Sequence, residues 1–495
     1  MTVQAVAHYD LLIDGKFVPA VSGETFDVLN PATNEVIARV AKGGPADVDA
    51  AVAAARRAFE GGPWPKMTGL DRQRLMMKLA QLLRDHLDEL AVMETSACGK
   101  PIAESRGDVA NGALTLEYYA GMAPRVTGET LPIAPDLLDY TLREPLGVCA
   151  CIVPWNFPLV IALWKVAPAL ATGNTVVLKP ASYTPTTAMR LGELALQAGF
   201  PPGVLNVIAG PGSVIGRALC QHPEVDKISF TGETETGREI QALAAPTLKK
   251  LSLELGGKSP NIVFPDADIE AAVNGSLLAI YGNAGQRCTA RSRLLLHERA
   301  REAFLDRFVD KANRIRIGDP LLEQTQMGPL VSRGQVERVS RFVAAAARDG
   351  AQVIAGGARP DDPALARGNF YRPTVVDRVR PDMQLAQEEV FGPVLAVLPF
   401  EDEERVIEIA NGVQYGLAAT IWTRDVARAH RVARRLRAGN VSINYPTVNL
   451  VGAPFGGYKQ SGMGREMGPH AIESYTQIKN VVVNLSDAGV DWFKL

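Results

Sequence analysis

Between residues 148 and 230, short apolar runs alternate with helix-like segments, and this alternation limits the fold more than any other feature of the chain. Residues 148–153, 175–178, 204–208 and 227–230 read as buried strands. Residues 158–171 and 212–220 read as helices, as does a segment with Thr184 as N-cap, Pro185 in its first turn and Gly199 as its stop. Successive strands recur every ~25–30 residues, the repeat of βαβ units that feed a parallel sheet. The expectation is an α/β dinucleotide-binding domain, with its ligand crevice at the carboxyl ends of the strands.

Upstream, residues 11–21 suggest a hairpin turning at Asp14-Gly15, and helical patterns cover 46–59, 70–98 and 101–119. Downstream, residues 248–255 read as a crossing strand broken by Gly256-Gly257. A second α/β series starts at Asn261, with strands at 293–297, 353–355, 394–399, 419–422 and 440–444 and helices at 299–315 and 402–411. A hinge near Gly256 therefore separates two α/β units. The alternating segment 479–485, with 126–143, suggests an arm that is buried only by pairing with another subunit.

A formal net charge of −2, with no basic stripe, argues against nucleic acid. The apolar run 147–173 is interrupted by Pro154, Asn156, Pro158, Lys165 and Pro168, so it reads as strand, turn and helix rather than a membrane span. The five cysteines lack metal-ligand spacing and the six histidines do not cluster, so no metal site or disulfide framework is expected. Residues 1–10 carry no signal-peptide pattern, which leaves the cytoplasm as the default compartment.

Several positions combine chemistry with placement. Phe230 ends a strand, and Thr231–Gly237 opens a helix whose free N–H groups suit an anion; a plain helix cap is the other reading. The G-x-G-x-x-G fingerprint is absent, since Gly210, Gly212 and Gly216 miss its last spacing by one. Lys179, at the end of a strand, is a second candidate, placed to face the crevice at the sheet edge; a solvated lysine is the other reading. Asn156, between a buried strand and a helix, offers an amide to a developing oxyanion, or serves only as a turn residue. Glu254 ends an apolar strand, where burial would raise its pKa toward that of a general base, unless a lysine pairs with it.

Cys288 lies among Gly285, Gln286, Arg287 and Thr289, between a helix-like run and a strand, where its side chain can face a cleft. A small buried residue is the competing reading. Cys149 and Cys151 share one side of an apolar strand, and Cys98 and Cys220 lie near helix ends without polar company. No histidine is near Cys288 in sequence, so the source of its activation is open.

Taken in order, Asn156, Lys179, Gly232–Gly237, Glu254 and Cys288 resemble the aldehyde dehydrogenase superfamily. Leu253-Glu254-Leu255-Gly256-Gly257-Lys258-Ser259 is similar to its glutamate signature, and Gly285-Gln286-Arg287-Cys288-Thr289-Ala290 to its cysteine signature. Glu389-Val390-Phe391-Gly392-Pro393 and the segment from Pro454 to Gly462 resemble two further motifs, so the resemblance spans nearly the whole chain.

That resemblance implies a variant Rossmann cofactor domain (1–124 and 146–256), a catalytic domain (257–468) and a small β oligomerisation arm (125–145 and 469–495), in a homotetramer or homodimer. It implies oxidation of a small-molecule aldehyde with NAD or NADP. Cys288 would attack the aldehyde, Asn156 and the Cys288 N–H would hold the oxyanion, and Glu254 would activate the water that releases the acid from a thioester. The resemblance also places Lys165 near the active site, with proton transfer as its implied role.

The cofactor would touch Ile152, Pro154, Trp155, Lys179, Ser182, Phe230, Gly232, Glu233, Gly237, Glu389 and Phe391. Phe157, Val160, Trp164 and Phe455 would line the substrate tunnel with Arg287 and Thr289 flanking the nucleophile, and Asn449 would add room. Arg287 has two readings, an anchor for a substrate carboxylate or one half of a structural ion pair.

Two residues depart from the pattern. Ser182 stands where NAD-preferring members often carry a glutamate that repels a 2′-phosphate, which leaves NADP open. Glu233 replaces a serine beside the pyrophosphate. The rival readings are a CoA-acylating semialdehyde dehydrogenase, against which Glu254 argues, and a non-catalytic dinucleotide-binding structural protein.

Overall fold

A computed structural model describes residues 6–446, 450–486 and 492–493. Asn449 of the tunnel lies outside the described residues.

The first sheet has eight strands, ordered Gly462–Met463, Lys250–Glu254, Lys227–Thr231, Val148–Ile152, Thr175–Lys179, Leu205–Val207, Leu11–Ile13 and Lys16–Val18. The five from Lys250–Glu254 to Leu205–Val207 run parallel. Val148–Ile152 and Thr175–Lys179 are buried at every residue, as a parallel strand covered on both faces requires. Register pairs Ile152 with Lys179 and with Phe230, and Thr231 with Glu254, so four strands end along one line. The helix Pro158–Ala171, buried throughout, crosses from the first of these strands to its neighbour.

The hairpin forms as read, with Asp14 at φ 53° and Gly15 at φ 73° giving its turn. Three expectations change. The pattern over 70–98 is two helices, Gly69–Asp85 and Leu87–Cys98, broken at His86 where ψ swings to 21°. Thr184 is not an N-cap: the helix is Thr186–Ala198, and the Thr184 hydroxyl donates to the Trp155 carbonyl at 3.3 Å. The crossing strand is a regular member of the first sheet, Lys250–Glu254, parallel to Lys227–Thr231, and Leu248 before it is exposed in a left-handed turn.

The second sheet orders Gln352–Ala355, Thr374–Asp377, Val394–Phe400, Arg293–His297, Pro260–Val263, Ala418–Trp422 and Asn440–Ile443, parallel but for its first strand. Beyond it the chain returns. Gly462–Met463 pairs with Lys250–Glu254, and Phe455, Met467 and Tyr475 join the core of the first sheet. A third sheet sets Thr476–Asn484 against Leu137–Pro145 over nine antiparallel pairs, with Thr130–Leu131 beyond. Among the described residues no helix is long and apolar enough to cross a membrane, and no group of histidine, cysteine or acidic side chains is placed to hold a metal.

Candidate active site

A cleft of about 500 Å³ opens at the carboxyl edge of the first sheet, where it meets the second. Trp155, Asn156, Gly232, Glu233, Gly256, Cys288, Glu389 and Phe391 share its wall. One concavity therefore gathers residues from five separate stretches of the chain.

Cys288 follows a turn that departs from helix at Asn283 and Ala284, both with positive φ. Gly285, at φ 72°, lets this turn lie against the Gly392 carbonyl. The thiol is half-buried, whereas the other four cysteines are buried. Desolvation, then the Glu389 and Glu254 carboxylates, push the Cys288 thiol up to about 12, while the N–H groups of Thr289 and of Cys288 itself oppose the rise. Asn156 is buried beside it. Its Nδ2 donates to the Gln286 carbonyl at 2.8 Å, and its own carbonyl accepts from Asn283 at 2.9 Å. Among the described residues only one of the two amide N–H groups is engaged.

Glu254 is 3% exposed, and neither carboxylate oxygen has a hydrogen-bond partner among the described residues. Burial is the main cause that holds its carboxyl well above the usual range; the Glu466 charge adds to this, and Lys165 and Arg465 pull the other way. Gly456 packs on Glu254 Oε1 with room for no side chain. Behind it the buried Lys165 ammonium is ion-paired to Glu466 and donates to Ser229 Oγ at 3.3 Å, and Ser229 in turn donates to Glu466 at 3.2 Å. Lysine pairing for Glu254 is thus excluded: the lysine nearby is taken by Glu466.

At the other end of the cleft, Lys179 is 5% exposed with its Nζ toward Gly212, and no partner for it exists among the described residues. Desolvation alone lowers it to about 8. Ser182 Oγ donates to the Gly210 carbonyl at 3.0 Å. The helix Thr234–Ala244 starts at Glu233 without a side-chain cap, so its first N–H groups face the cleft unspent. Gly232 stacks on the Phe230 ring, and Gly237 on Leu255, each without space for a Cβ. Glu233 is exposed at the rim. These groups fit a dinucleotide: an uncapped helix N-terminus for the pyrophosphate, an unpaired buried ammonium, and a carboxylate, Glu389, at the far end.

Glu389 accepts from the Gly257 N–H at 2.9 Å and is raised to about 7, mainly by burial. Phe391 adopts a left-handed φ of 60° and meets Trp155 edge-on at 5.2 Å. Gln335 donates to the Phe391 carbonyl at 2.7 Å and Arg338 to the Glu389 carbonyl at 2.8 Å.

Outside the lining of this cleft, Trp164 and Phe455 pack with ring centroids 5.3 Å apart, and the Trp164 Nε1 has no partner among the described residues. Phe157 lies between the Lys100 ammonium, 4.2 Å from its ring centre, and the Arg287 guanidinium at 5.6 Å. Arg287 takes the second of its two readings: it donates to Glu104 at 2.8 Å and packs on Gly282. Thr289 is buried, and its carbonyl accepts from Arg291.

Residues 17–481 match the aldehyde dehydrogenase family. The betaine aldehyde dehydrogenase of Bacillus subtilis is 46% identical over 485 residues, covering 98% of this chain and 99% of that one. An aldehyde dehydrogenase of Emericella nidulans is 47% identical, covering 97% and 95%. The chain belongs to the aldehyde dehydrogenase family. The NAD+ complex of an aldehyde dehydrogenase from Bacillus cereus superposes with a TM-score of 0.95 at 46% identity, covering 97% of both chains.

Within this aldehyde dehydrogenase, sequence reasoning missed Glu466, Gln335 and Arg338. The first had a faint signal: a lysine inside an apolar helix, Lys165, needs a buried partner. The other two lie on Arg333–Arg348, announced by Ser332 as N-cap and by apolar residues at helical spacing.

Proposed function

We propose that this enzyme oxidises an aldehyde to the carboxylic acid with NAD(P), through a covalent acyl group on Cys288. The observation that carries the reading is the convergence on one cleft of Cys288, Asn156 and Glu389, with the unpartnered carboxylate of Glu254 buried against Gly456. Cys288 as thiolate adds to the aldehyde carbon. The free Asn156 N–H and the Cys288 N–H take the charge that develops on the oxygen. The bound nicotinamide supplies the acceptor for the hydride. Glu254, kept protonated at rest by burial and by Glu466, draws a proton from water once it ionises, and that water cleaves the thioester. Lys165, held by Glu466 and Ser229, supplies the positive charge behind it.

Helix Thr234–Ala244 receives the pyrophosphate with Gly232, Glu233 and Gly237, and Ile152, Pro154, Trp155, Phe230 and Phe391 wall the nucleotide. Lys179 and Ser182 face the adenosine ribose and Glu389 the nicotinamide ribose. Ser182 cannot repel a 2′-phosphate and Lys179 attracts one, so the cofactor is NAD or NADP, with NAD ahead. Trp164, Phe157 and Phe455, flanked by the buried Thr289 and by Arg287 in its pair with Glu104, suit a medium-sized or aromatic aldehyde. Cofactor and catalytic domains meet near residue 256, the arm joins subunits into a dimer or tetramer, and the enzyme is cytoplasmic.

Cys288→Ala should abolish NAD(P)H formation from every aldehyde of a panel. Glu254→Gln should release one equivalent per site and then stall as a thioester seen by intact mass. Turnover by the first variant, or an unchanged steady-state rate in the second, would remove the mechanism. An acyl-CoA product would point instead to the CoA-acylating reading.

A further inference from the structure

The turn that carries the nucleophile is gripped from outside the cleft by one carboxylate. Glu104 stands in the first turn of the helix Ile102–Met122, which packs Val109, Ala113 and Leu116 into the core of the first sheet. The turn itself follows Ile280 and Tyr281, which belong to the core of the second sheet. Glu104 Oε1 accepts from the Asn283 backbone N–H at 3.0 Å, and Oε2 accepts from Arg287 Nη2 at 2.8 Å. Both ends of the segment from Asn283 to Arg287 are thus tied, through a single side chain, across the junction of the two cores.

That segment needs holding. Asn283 and Ala284 take left-handed φ values of 48° and 52° without being glycine. Such a backbone persists only where its surroundings fix it. Glu104 does so, and it also satisfies the N–H of a residue that is 1% exposed. Asn283 carries the constraint onward. Its Nδ2 donates to the Asn156 carbonyl at 2.9 Å, and Asn156 Nδ2 donates to the Gln286 carbonyl at 2.8 Å. Glu104 is therefore one residue away from the oxyanion amide, through Asn283, and one residue away from the thiol, through Arg287. It stands outside the wall of the cofactor cleft.

We propose that Glu104 is a positioning residue that sets the Cys288 turn against Asn156, so that the oxyanion formed by attack lies within reach of the Asn156 N–H. The role rests on Cys288 being the nucleophile and Asn156 the oxyanion donor.

An activated ester, para-nitrophenyl acetate, tests this without cofactor and without a choice of aldehyde. The thiolate adds to the ester carbon, the carbonyl oxygen becomes the oxyanion, and nitrophenolate leaves as the thioester forms. First-turnover release of nitrophenolate therefore measures acylation. The control is the alkylation profile of Cys288, its time course with iodoacetamide at one fixed pH, followed by peptide mass spectrometry. Alkylation displaces iodide at a saturated carbon and develops no oxyanion. Glu104→Ala should slow acylation roughly 10- to 100-fold and leave the alkylation rate within about twofold of the native one. Glu104→Gln keeps an oxygen for the Asn283 N–H and should recover most of the loss. If the Ala variant does not fold, Glu104→Asp, whose shorter side chain draws back from the turn, carries the same comparison. Equal acylation in the Ala and native enzymes, or a Gln variant as slow as the Ala one, would overturn the proposal. So would acylation and alkylation falling together, because the site would then be lost rather than misaligned. A native enzyme that releases no nitrophenolate would instead remove the nucleophile reading on which the proposal rests.

Discussion

Glu254 shows what one unpartnered side chain costs and what it makes possible. Its carboxyl is buried with no hydrogen-bond partner among the described residues, and desolvation first, then the Glu466 charge, makes the folded enzyme hold the proton well above the ordinary carboxylate range. The unfolded chain releases that proton near pH ~4.3. Between those two values the folded state binds more protons than the unfolded one. Stability from this group is therefore complete below the unfolded pKa and declines as pH rises, by up to ~1.4 kcal/mol per pH unit. Glutamine keeps the shape and does not titrate. The melting temperature of Glu254→Gln relative to the native enzyme should gain steadily between about pH 5 and pH 8. A gap that stays constant across that range would mean the carboxylate is not desolvated. The same strain makes the group a base, since an anion with no partner takes a proton readily from water.

At the scale of elements, the nucleophile turn is held by what glycine leaves out. Gly257, just past the strand Lys250–Glu254, carries no Cβ, and one placed there would collide with the Cys288 carbonyl. Its N–H also fixes Glu389. Gly257→Ala should move the thiol from its line of attack and lower kcat/KM by about 10²-fold in steady-state assays; an unchanged kcat/KM would show that the turn yields without consequence. Local signals made much of this site legible. The strands that carry Lys179 and Glu254 are short apolar runs, and a parallel sheet aligns their carboxyl ends whatever the loops do. Cys288 stood out from the other cysteines by its polar company, and it is the one that is not fully buried.

What was illegible depends on contacts between distant segments. Glu466 reaches Lys165 only because the chain returns from the second sheet to the edge of the first, and nothing near residue 466 announces that return. The apolar spacing runs on through His86, so the bend between Gly69–Asp85 and Leu87–Cys98 leaves no mark in the pattern. Arg287 was ambiguous for the same reason, because its partner Glu104 lies on another helix, Ile102–Met122.

The whole molecule leaves one sheet unfinished. Thr476–Asn484 is the edge of the three-stranded arm, and an edge strand nine residues long that pairs on one side only among the described residues, with Val481-Val482-Val483 in sequence, is an invitation to pairing. Ile478 is 62% exposed and Val482 54%; by register they stand opposite Arg143 and Asp139. On the other face Leu138, Leu142 and Val483 are also exposed. Single apolar residues at a surface mean little, but apolar residues on both faces of a protruding sheet, with its edge bare, call for a cover. A second copy of the chain pairing by the same strand would supply one and close the contact symmetrically. Lysine at an edge blunts such pairing. The double variant Ile478→Lys, Val482→Lys should therefore sediment at micromolar concentration as the single 53.1 kDa chain, while the native enzyme sediments as a multiple of it. A variant that keeps the native mass would place the subunit contact elsewhere. The arm lies apart from the cleft, so the dissociated chain should retain the alkylation profile of Cys288, and that retention would separate the chemistry of the subunit from its assembly.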